Sequence, residues 1–374
     1  MGVAQVVLTE PLFVYGPLAT PMLLQTVIGD ADVRPAQAPD LAITLCDEPV
    51  PVSGLSAGQG NAEGLLISGA DAVARLSYLA QVLGLGPAER LVVLQDGTER
   101  EALVFPGRPG RCAWHPQEWV AKSGAILQAA AREIMTVKDR VPAADLAARL
   151  PMILSRAGGR VAARQSAPAS LRSATHADQV QDMACEITHV GFFLSRAYTL
   201  RHPRFDGTMS ATLGREVFVA TDAALVLPYD PVRDRVLLVE QFRMGPYGRG
   251  DPHPWMLEPV AGRIDGGESP EEAARRECLE EAGLTLRHLE KISAHYCTPG
   301  YSTEFFHIFL GVCDLPDTDT GQGGLATEHE DIRTHVIDFE RAMALLRTGE
   351  ANNGPLILSL IWLERERARL RASP

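Results

Sequence analysis

The stretch that most constrains this 374-residue chain is GRIDGGESPEEAARRECLEEAGL, residues 262–284. Within this stretch, several residues mark the beginning and the end of one short helix. Ser269 is a preferred N-cap, Pro270 suits the first helical position, and Glu272 stands where a capping box requires an acid. Gly283 can adopt the left-handed conformation that ends a helix. The sequence therefore predicts a loop, a helix and a second loop in this stretch.

The predicted helix has two chemically different sides. Ala274 and Cys278 lie four residues apart and form the side that packs inward. Glu277, Glu280 and Glu281 lie at positions i, i+3 and i+4 and share another face, where each like-charged pair costs about 0.2–0.5 kcal/mol. A hard divalent cation such as Mg²⁺ takes oxygen ligands and would turn that cost into binding. The pattern therefore predicts a metal site for phosphate chemistry, and the alternative is an exposed, charge-rich helix.

Composition and charge limit what the rest of the chain can do. The length is sufficient for two domains, and 46% hydrophobic with 22% charged residues is a globular composition. A formal net charge of -12 argues against broad binding of nucleic acid, so local arginines and metal must attract an anionic substrate. The cysteines are scattered without zinc spacing, which favours a reduced, cytoplasmic compartment. Neither a signal peptide nor a membrane-spanning stretch is expected.

A change in composition divides the chain. Residues 138–182 combine interrupted helical patterns with SAPASLRSATHA and predict a helical or flexible linker. Between Asp145 and Asp178 there are arginines but no acidic residues, which predicts a solvated basic tether or, alternatively, a segment that docks on acidic surface of its own chain. The predicted domains are therefore 1–137 and 183–374, joined by that linker.

The pattern after residue 183 predicts a mixed sheet covered by helices, an α/β/α sandwich. The predicted strands are 223–230, 234–243, 255–262, 305–313 and 333–339, the first two joined as a hairpin. A C-terminal helix over 355–372 offers the sheet an apolar side formed by Leu356, Leu358, Leu360, Ile361 and Leu363.

The spacing within 262–284 resembles the Nudix box, the signature of hydrolases that act on nucleoside diphosphates linked to another group. The signature's fixed positions are all filled, by Gly262, Glu268, Arg276, Glu277, Glu280, Glu281 and Gly283. Cys278 replaces the usual aliphatic residue. The resemblance covers roughly 184–374, and it implies the Nudix fold, which agrees with the sandwich predicted from the strand pattern.

Three features outside the box resemble the ADP-ribose pyrophosphatase subfamily. Pro299 follows Gly283 by sixteen residues, GREVF (214–218) resembles the segment whose arginine helps to hold the substrate, and ATEHEDIR (326–333) resembles the acidic loop that supplies a catalytic carboxylate. The resemblance implies Mg²⁺-dependent hydrolysis of ADP-ribose to AMP and ribose 5-phosphate. The alternatives are hydrolysis of another nucleoside diphosphate sugar or dinucleotide, and a non-catalytic ADP-ribose sensor.

The same resemblance implies a set of metal ligands and catalytic groups. The Ala261 carbonyl, Glu277 and Glu281 are expected to bind Mg²⁺, for which Mn²⁺ can substitute, and Glu280 is expected to assist a further ion. In other Nudix relatives the position of Glu277 is assigned a different role, so the roles of metal ligand and catalytic base can be exchanged between positions. The expected catalytic residues are Glu328 as the first choice for the base that activates water, Glu330 as the alternative base, Glu280 and Arg276.

Substrate and partner contacts are also implied. Arg215 and Arg243 are candidates to bind phosphate or ribose oxygens because a guanidinium binds bidentately, although an ordinary surface ion pair is the alternative for Arg243. Glu216 is a further candidate for substrate binding. Glu258 is expected to contact the terminal ribose or support the metal. The expected partner is a small nucleotide sugar, with no nucleic acid and no membrane. A homodimer through the Nudix domain is also expected.

The amino-terminal part resembles a γ-glutamylcyclotransferase-like domain, a small α+β fold. Tyr15-Gly16-Pro17-Leu18 follows an apolar strand and resembles the family's YGxL turn, while residues 50–70 and 102–107 resemble later segments. The alternative is a simple strand-to-turn signal. Where that family has a catalytic glutamate, this chain has Ala80 or Gln81, which cannot exchange a proton near neutral pH. The sequence therefore predicts a non-catalytic domain, and the fusion resembles Nudix proteins associated with tellurite resistance.

Overall fold

The computed structural model describes residues 10–46, 50–165, 170–317, 322–323 and 331–372. Contacts divide the chain into two compact units. The first consists of Met1–Pro168 with Asp265–Gly267, and the second of Ala169–Ile264 with Glu268–Pro374. The segment predicted as a linker, 138–182, falls on both sides of this boundary.

The first unit has a sheet that closes on itself. Its strands are β1 (Leu12–Tyr15), β2 (Val33–Leu45), β3 (Ser53–Ile67), β4 (Glu89–Gln95), β5 (Thr98–Val104) and β6 (Cys112–Ala113). They are paired in the order β3-β1-β5-β4-β2-β6, and β2 also pairs with β3, so the first five form a ring. Alternate residues such as Phe13, Tyr15, Ala36 and Val104 point into its core.

Helices accompany this ring. They are α1 (Pro21–Val27), α2 (Ala70–Val82), α3 (Pro116–Trp119), α4 (Ala125–Thr136), α5 (Ala143–Ala147) and α6 (Leu150–Ala162). A single π-helical turn over Val120–Gly124 joins α3 to α4. Helix α6 lies within the predicted linker, but it packs on α4, and the buried ion pair between Arg156 and Glu133 (2.5 Å) connects the two helices.

The predicted YGPL turn follows β1. Gly16 has φ 56°, and a Cβ there would come within 2.4 Å of the Ser53 hydroxyl oxygen, so the turn requires glycine. The Tyr15 hydroxyl is within hydrogen-bonding distance of the carbonyl oxygens of Phe105 (2.9 Å) and Pro106 (2.7 Å), which ties the end of β1 to the segment after β5.

The second unit contains two sheets. The strands β7 (Gln181–Val190), β8 (Leu194–Arg201) and β9 (Leu213–Val219) form an antiparallel three-stranded sheet. The other strands, in one eight-stranded sheet, are β10 (Asp222–Asp230), β11 (Arg235–Phe242), β12 (Trp255–Glu258), β13 (Val260–Arg263), β14 (His288–Tyr296), β15 (Phe305–Val312), β16 (Gln322–Gly323) and β17 (Ile332–Asp338). This sheet is mixed, because β10 pairs parallel with β15 and antiparallel with β11 and β13.

Helices cover both faces of the eight-stranded sheet, which confirms the predicted sandwich. The helices of this unit are α7 (Met244–Arg249), α8 (Pro270–Ala282), α9 (Phe339–Thr348) and α10 (Gly354–Ala372). Val226, Leu237 and Val239 face α8, and the alternate residues Leu227 and Leu238 face α9 and α10. Strand periodicity therefore places alternate apolar residues of β10 and β11 in two separate cores.

Two details differ from the sequence-based prediction. The run 255–262 is not one strand, because it divides at Pro259, which lacks a backbone N–H; β12 pairs with β11 and β13 with β10. Ile361 is 52% exposed instead of covering the sheet. It follows the buried Leu360 by one residue, about 100° around the helix, and so lies off the packed face.

Among the described residues, every helix falls short of the length or apolar character that a membrane span requires.

Candidate active site

Helix α8 forms as the sequence predicts. The Ser269 hydroxyl accepts a hydrogen bond from the backbone N–H of Glu272 (3.2 Å), and the Glu272 carboxylate accepts one from the N–H of Ser269 (2.8 Å). Gly283 ends the helix with φ 64°. Ala274 and Cys278 are fully buried against the sheet. The predicted division of the helix into an apolar and an acidic side holds only in part, because Glu281 is buried beside Ala274 and Cys278 whereas Glu280 is partly exposed.

The carboxylate of Glu277 lies directly over strand β13. A Cβ added to Gly262 would lie 1.8 Å from the carboxyl carbon and from one carboxylate oxygen of Glu277. No side chain fits between the strand and the acid. The glycine at the start of the 262–284 motif therefore lets helix and strand approach each other.

Glu281 is joined to the same strand. It is only 2% exposed, and its carboxylate accepts a hydrogen bond from the backbone N–H of Ala261 (3.2 Å). Two of the predicted metal ligands, Ala261 and Glu281, are therefore adjacent. The third, Glu277, lies over the next residue of β13, Gly262.

Arg276 holds several of these acids together. Its guanidinium donates hydrogen bonds to Glu268 (2.9 Å), Glu277 (2.7 Å) and Glu280 (3.0 Å), and to the carbonyl oxygen of Arg263 (3.0 Å). The hydrogen bonds to Glu268 are the largest cause of a raised pKa for Arg276, and burial opposes the shift. Arg276 therefore stays charged and fixes the positions of the acids around it.

The donors suit a hard divalent cation, because they are carboxylate oxygens and a backbone carbonyl. Among the described residues, no three Asp, Glu, His or Cys side chains converge on one point as ligands of a metal ion do. Glu277 and Glu280 instead share one nitrogen of Arg276. A cation held by Glu277, Glu280 and Glu281 together would thus require the first two to turn from Arg276 towards the ion.

A second charged pair lies on the sheet itself. The Arg243 guanidinium donates to the Glu258 carboxylate (2.8 Å), although the two residues are fifteen apart in the chain. Glu258 pairs with Val239 across β12 and β11, so it lies on the face that carries α8. Burial raises the pKa of Glu258, and the charge of Arg243 opposes that shift. Two of the predicted substrate-binding residues are therefore in direct contact.

Arg215 and Glu216 lie elsewhere, on β9 of the three-stranded sheet. Both are exposed, and Arg215 donates to the carbonyl oxygen of Gly214 (2.8 Å). In the described structure, no hydrogen bond joins them to the acids of α8. Strand β9 nevertheless ends beside the loop that contains Pro299, since the N–H of Phe218 donates to Tyr301 O (2.7 Å).

The predicted bases, Glu328 and Glu330, lie outside the described residues. The described chain resumes at 331, immediately before β17.

Sequence reasoning missed one polar residue in this region, Gln241. It follows Leu237 and Val239 at the period of two that places residues on one face of a strand, and it is 8% exposed. A polar residue at an inward position of an apolar strand was the signal that could have identified it. Its neighbour Glu240 points to the opposite face, where it contacts His335 (2.8 Å).

A mixed sheet with helices on both faces, and with acids of α8 against strand β13, defines an α/β/α sandwich with an acidic candidate site. Residues 220–360 match the family model for the NUDIX domain. Three relatives that are 33–40% identical match over 77–92% of their own length, and the chain therefore belongs to the Nudix family.

The relatives are named for two substrates. The ADP-ribose pyrophosphatase of Escherichia coli (strain K12) is 40% identical over 194 residues, which cover 52% of this chain and 92% of the relative. That of Haemophilus influenzae is 37% identical over 185 residues, 49% of this chain and 85% of the relative. The GDP-mannose pyrophosphatase of Salmonella choleraesuis is 33% identical over 150 residues, 40% of this chain and 77% of the relative.

Proposed function

We propose that this protein hydrolyses the pyrophosphate bond of ADP-ribose to AMP and ribose 5-phosphate and needs a divalent cation to do so. The observation that carries the proposal is that two acids of α8 lie against strand β13, Glu277 over Gly262 and Glu281 at Ala261. Two relatives with 37–40% identity are named ADP-ribose pyrophosphatases and match over 85–92% of their own length.

The cation would be held by the Ala261 carbonyl, Glu277 and Glu281, with Glu280 assisting a second ion; Mg²⁺ is the proposed ion and Mn²⁺ its substitute. When bound, it supplies neutralisation of phosphate charge and alignment of an in-line attack. Before the cation binds, Arg276 keeps Glu277 and Glu280 in position. The catalytic base is proposed to be Glu328, or Glu330 in its place, which takes the proton of the attacking water as the bridging phosphorus–oxygen bond breaks.

The substrate's charge and sugar need their own contacts. Arg243 offers a guanidinium to phosphate oxygens, and Glu258 beside it offers a buried acceptor to a ribose hydroxyl. Arg215 and Glu216 on β9 are proposed to contact the substrate from the three-stranded sheet.

A second candidate substrate is another nucleoside diphosphate sugar. It is favoured by one observation, the 33% identity to a GDP-mannose pyrophosphatase over 77% of that relative. A non-catalytic sensor is less favoured, because the acids of α8 are all present.

A substrate panel tests the proposal. Purified protein would be assayed with ADP-ribose, ADP-glucose, GDP-mannose and NADH in the presence of Mg²⁺, Mn²⁺ or EDTA. We expect ADP-ribose to have the highest kcat/KM and EDTA to abolish turnover. Faster turnover of another nucleotide sugar would overturn the substrate but retain the reaction, and undiminished hydrolysis in EDTA would overturn both the metal and the site.

We also propose a homodimer through the Nudix domain. Strand β7 is an edge strand whose residues are almost all exposed, and Met183 (61% exposed) and Phe192 (68% exposed) lie on or next to it. An unpaired edge with apolar side chains favours covering by a second copy. Sedimentation equilibrium should give a mass near twice 40.4 kDa, and a monomer at micromolar concentration would contradict the proposal.

The amino-terminal part is proposed to be a γ-glutamylcyclotransferase-like domain over residues 1–137 without that activity, with 138–182 as a linker to 183–374. Ala80 is buried in α2 and Gln81 is exposed, and neither is an acid. Release of 5-oxoproline from γ-glutamyl dipeptides would contradict this. A cytoplasmic location is supported by the six cysteines, which are all described and all free thiols.

A further inference from the structure

Gln241 has a buried hydrogen-bond donor that finds no partner in the described part of the chain. Among the described residues, its side-chain nitrogen Nε2 is one of three buried side-chain polar atoms that make no hydrogen bond. An unsatisfied buried donor destabilises the folded protein, because it has lost its hydrogen bond to water and gained none in return. A leucine or methionine at this position would avoid this cost. A hydrogen bond from the amide to a bound ligand is therefore the explanation to test.

The register places this donor within the proposed substrate-binding group. Glu258 pairs with Val239, and Met256 pairs with Gln241, so Gln241 and Glu258 are diagonal neighbours on one face. Such neighbours lie about 7–8 Å apart, within reach of long side chains.

Arg243 lies on the other side of the amide. Its backbone is still extended, with φ -125° and ψ 130°, so its side chain is on the same face as that of Gln241. The ion pair between Arg243 and Glu258 therefore spans the position of Gln241. On this face of the sheet, the position of Gln241 thus lies between that of the cation Arg243 and that of the carboxylate Glu258.

These three groups complement different parts of a nucleotide sugar. A guanidinium binds phosphate oxygens, whereas a carboxylate accepts a hydrogen bond and repels phosphate. A sugar hydroxyl both donates and accepts, so a carboxylate and an amide N–H side by side can satisfy it completely. The combination of Glu258 and Gln241 therefore fits a hydroxyl group and not a phosphate oxygen.

We propose that Nε2 of Gln241 donates a hydrogen bond to a hydroxyl oxygen of the substrate's terminal sugar, next to the acceptor Glu258. The terminal sugar is the one that the diphosphate joins to the nucleoside. This rests on the proposed function and deepens it, because it assigns recognition of the sugar to a residue of β11. A site built to bind a hydroxyl disfavours a ligand that lacks it, since the buried polar groups are then left unpaired.

The test is Gln241→Met, which keeps the length of the side chain and removes the donor. One neutral hydrogen bond contributes about 0.5–1.5 kcal/mol, so KM for ADP-ribose should rise about two- to tenfold with kcat nearly unchanged. Inhibition by ADP, which has the adenosine ribose but lacks the second, terminal sugar, should keep its wild-type Ki. The melting temperature should be equal to that of the wild type or higher, because an unsatisfied donor has been removed.

Ser359→Ala is the matched control. Within the described part of the chain, the hydroxyl oxygen of Ser359 is also buried without a hydrogen bond. Ser359 lies on α10, at the opposite face of the sheet, so its replacement should leave KM unchanged. An unchanged KM in Gln241→Met would overturn the proposal, and so would an equal weakening of ADP-ribose and ADP. A lower melting temperature with an unchanged KM would show that the amide has a partner within the protein.

The outcome is separable from that of the proposed function. If the wild type prefers another nucleotide sugar, the same comparison is made with that sugar and the corresponding nucleoside diphosphate. If no sugar nucleotide is turned over, calorimetric titration with ADP-ribose and ADP replaces kinetics. The preference for ADP-ribose over ADP should then shrink in Gln241→Met, and an undiminished preference would refute the role of Gln241.

Discussion

The three carboxylates of α8 that we propose as metal ligands differ in burial, and we expect them to differ in their contribution to the site. Glu281 is almost completely buried against Ala261, the Glu277 side chain is 13% exposed over Gly262, and that of Glu280 is 31% exposed. A buried carboxylate is costly to leave without a compensating charge, so we expect the proposed cation to gain more free energy from Glu281 than from Glu277 or Glu280.

Glu281→Gln should therefore fold normally and lose most of its turnover. The amide keeps the shape of the side chain and can still accept from the N–H of Ala261, but it cannot neutralise a cation. We expect kcat to fall at least about a hundredfold, which corresponds to about 2.7 kcal/mol in the barrier. The measurement is kcat for ADP-ribose at saturating Mg²⁺, with circular dichroism to check the fold. Glu271→Gln, an exposed acid in the first turn of the same helix, is the control and should retain the wild-type rate.

Glu258 makes stability depend on pH. Burial raises the pKa of Glu258 in the folded protein, so the folded state retains a proton at pH values where the unfolded chain, with a glutamate pKa of about 4.3, has lost it. The free energy of unfolding of the wild type is thus lowered as the pH rises from the unfolded pKa through the folded pKa.

Glu258→Gln removes this pH-dependent loss of stability, because the amide does not titrate. The difference in free energy of unfolding, variant minus wild type, should increase with pH across this window and become constant above it. Urea titrations from pH 4 to pH 8 in EDTA measure it. A difference that is flat or decreases with pH would show that the folded-state pKa is not raised.

At the level of elements, the site depends on the distance between β13 and α8. Helix α8 begins and ends by local signals, which the sequence displays, but its distance from the strand is set by the absence of a side chain at Gly262. The contact atoms on the helix are the end of the Glu277 side chain, which is flexible.

Gly262→Ala is therefore expected to displace Glu277 without unfolding the protein. The glycine does not have a positive φ, so alanine is compatible with the backbone. We expect kcat to fall about a hundredfold or more while the melting temperature changes by a few degrees at most. Gly354→Ala is the matched control, because a Cβ at Gly354 meets no atom within 4 Å and should leave kcat unchanged. A wild-type kcat in Gly262→Ala would mean that Glu277 is not a ligand.

At the level of the whole molecule, the matches to known proteins concern one unit. The Escherichia coli relative aligns over 194 residues, only 52% of this chain, while 92% of that relative is covered. The eight-stranded sheet and the acids of α8 belong to the second unit, although Asp265–Gly267 between them groups with the first.

A fragment of residues 170–374 should therefore hydrolyse ADP-ribose by itself. We expect a kcat/KM within about tenfold of the full chain, equivalent to about 1.4 kcal/mol, and no turnover from residues 1–165. Initial rates of the two fragments and of the full chain measure this. A soluble but inactive fragment would show that the first unit contributes to catalysis.

The sequence by itself determined helix α8, its two ends and the mixed-sheet sandwich. These depend on capping residues and on hydrophobic periods, which are local properties that short stretches of chain display. Only the tertiary structure decided that Glu258 contacts Arg243, that Glu277 lies over Gly262 and that Gln241 has a buried amide among them. Each of these depends on strand register and on the packing of a helix on a sheet, which bring together residues far apart in the chain.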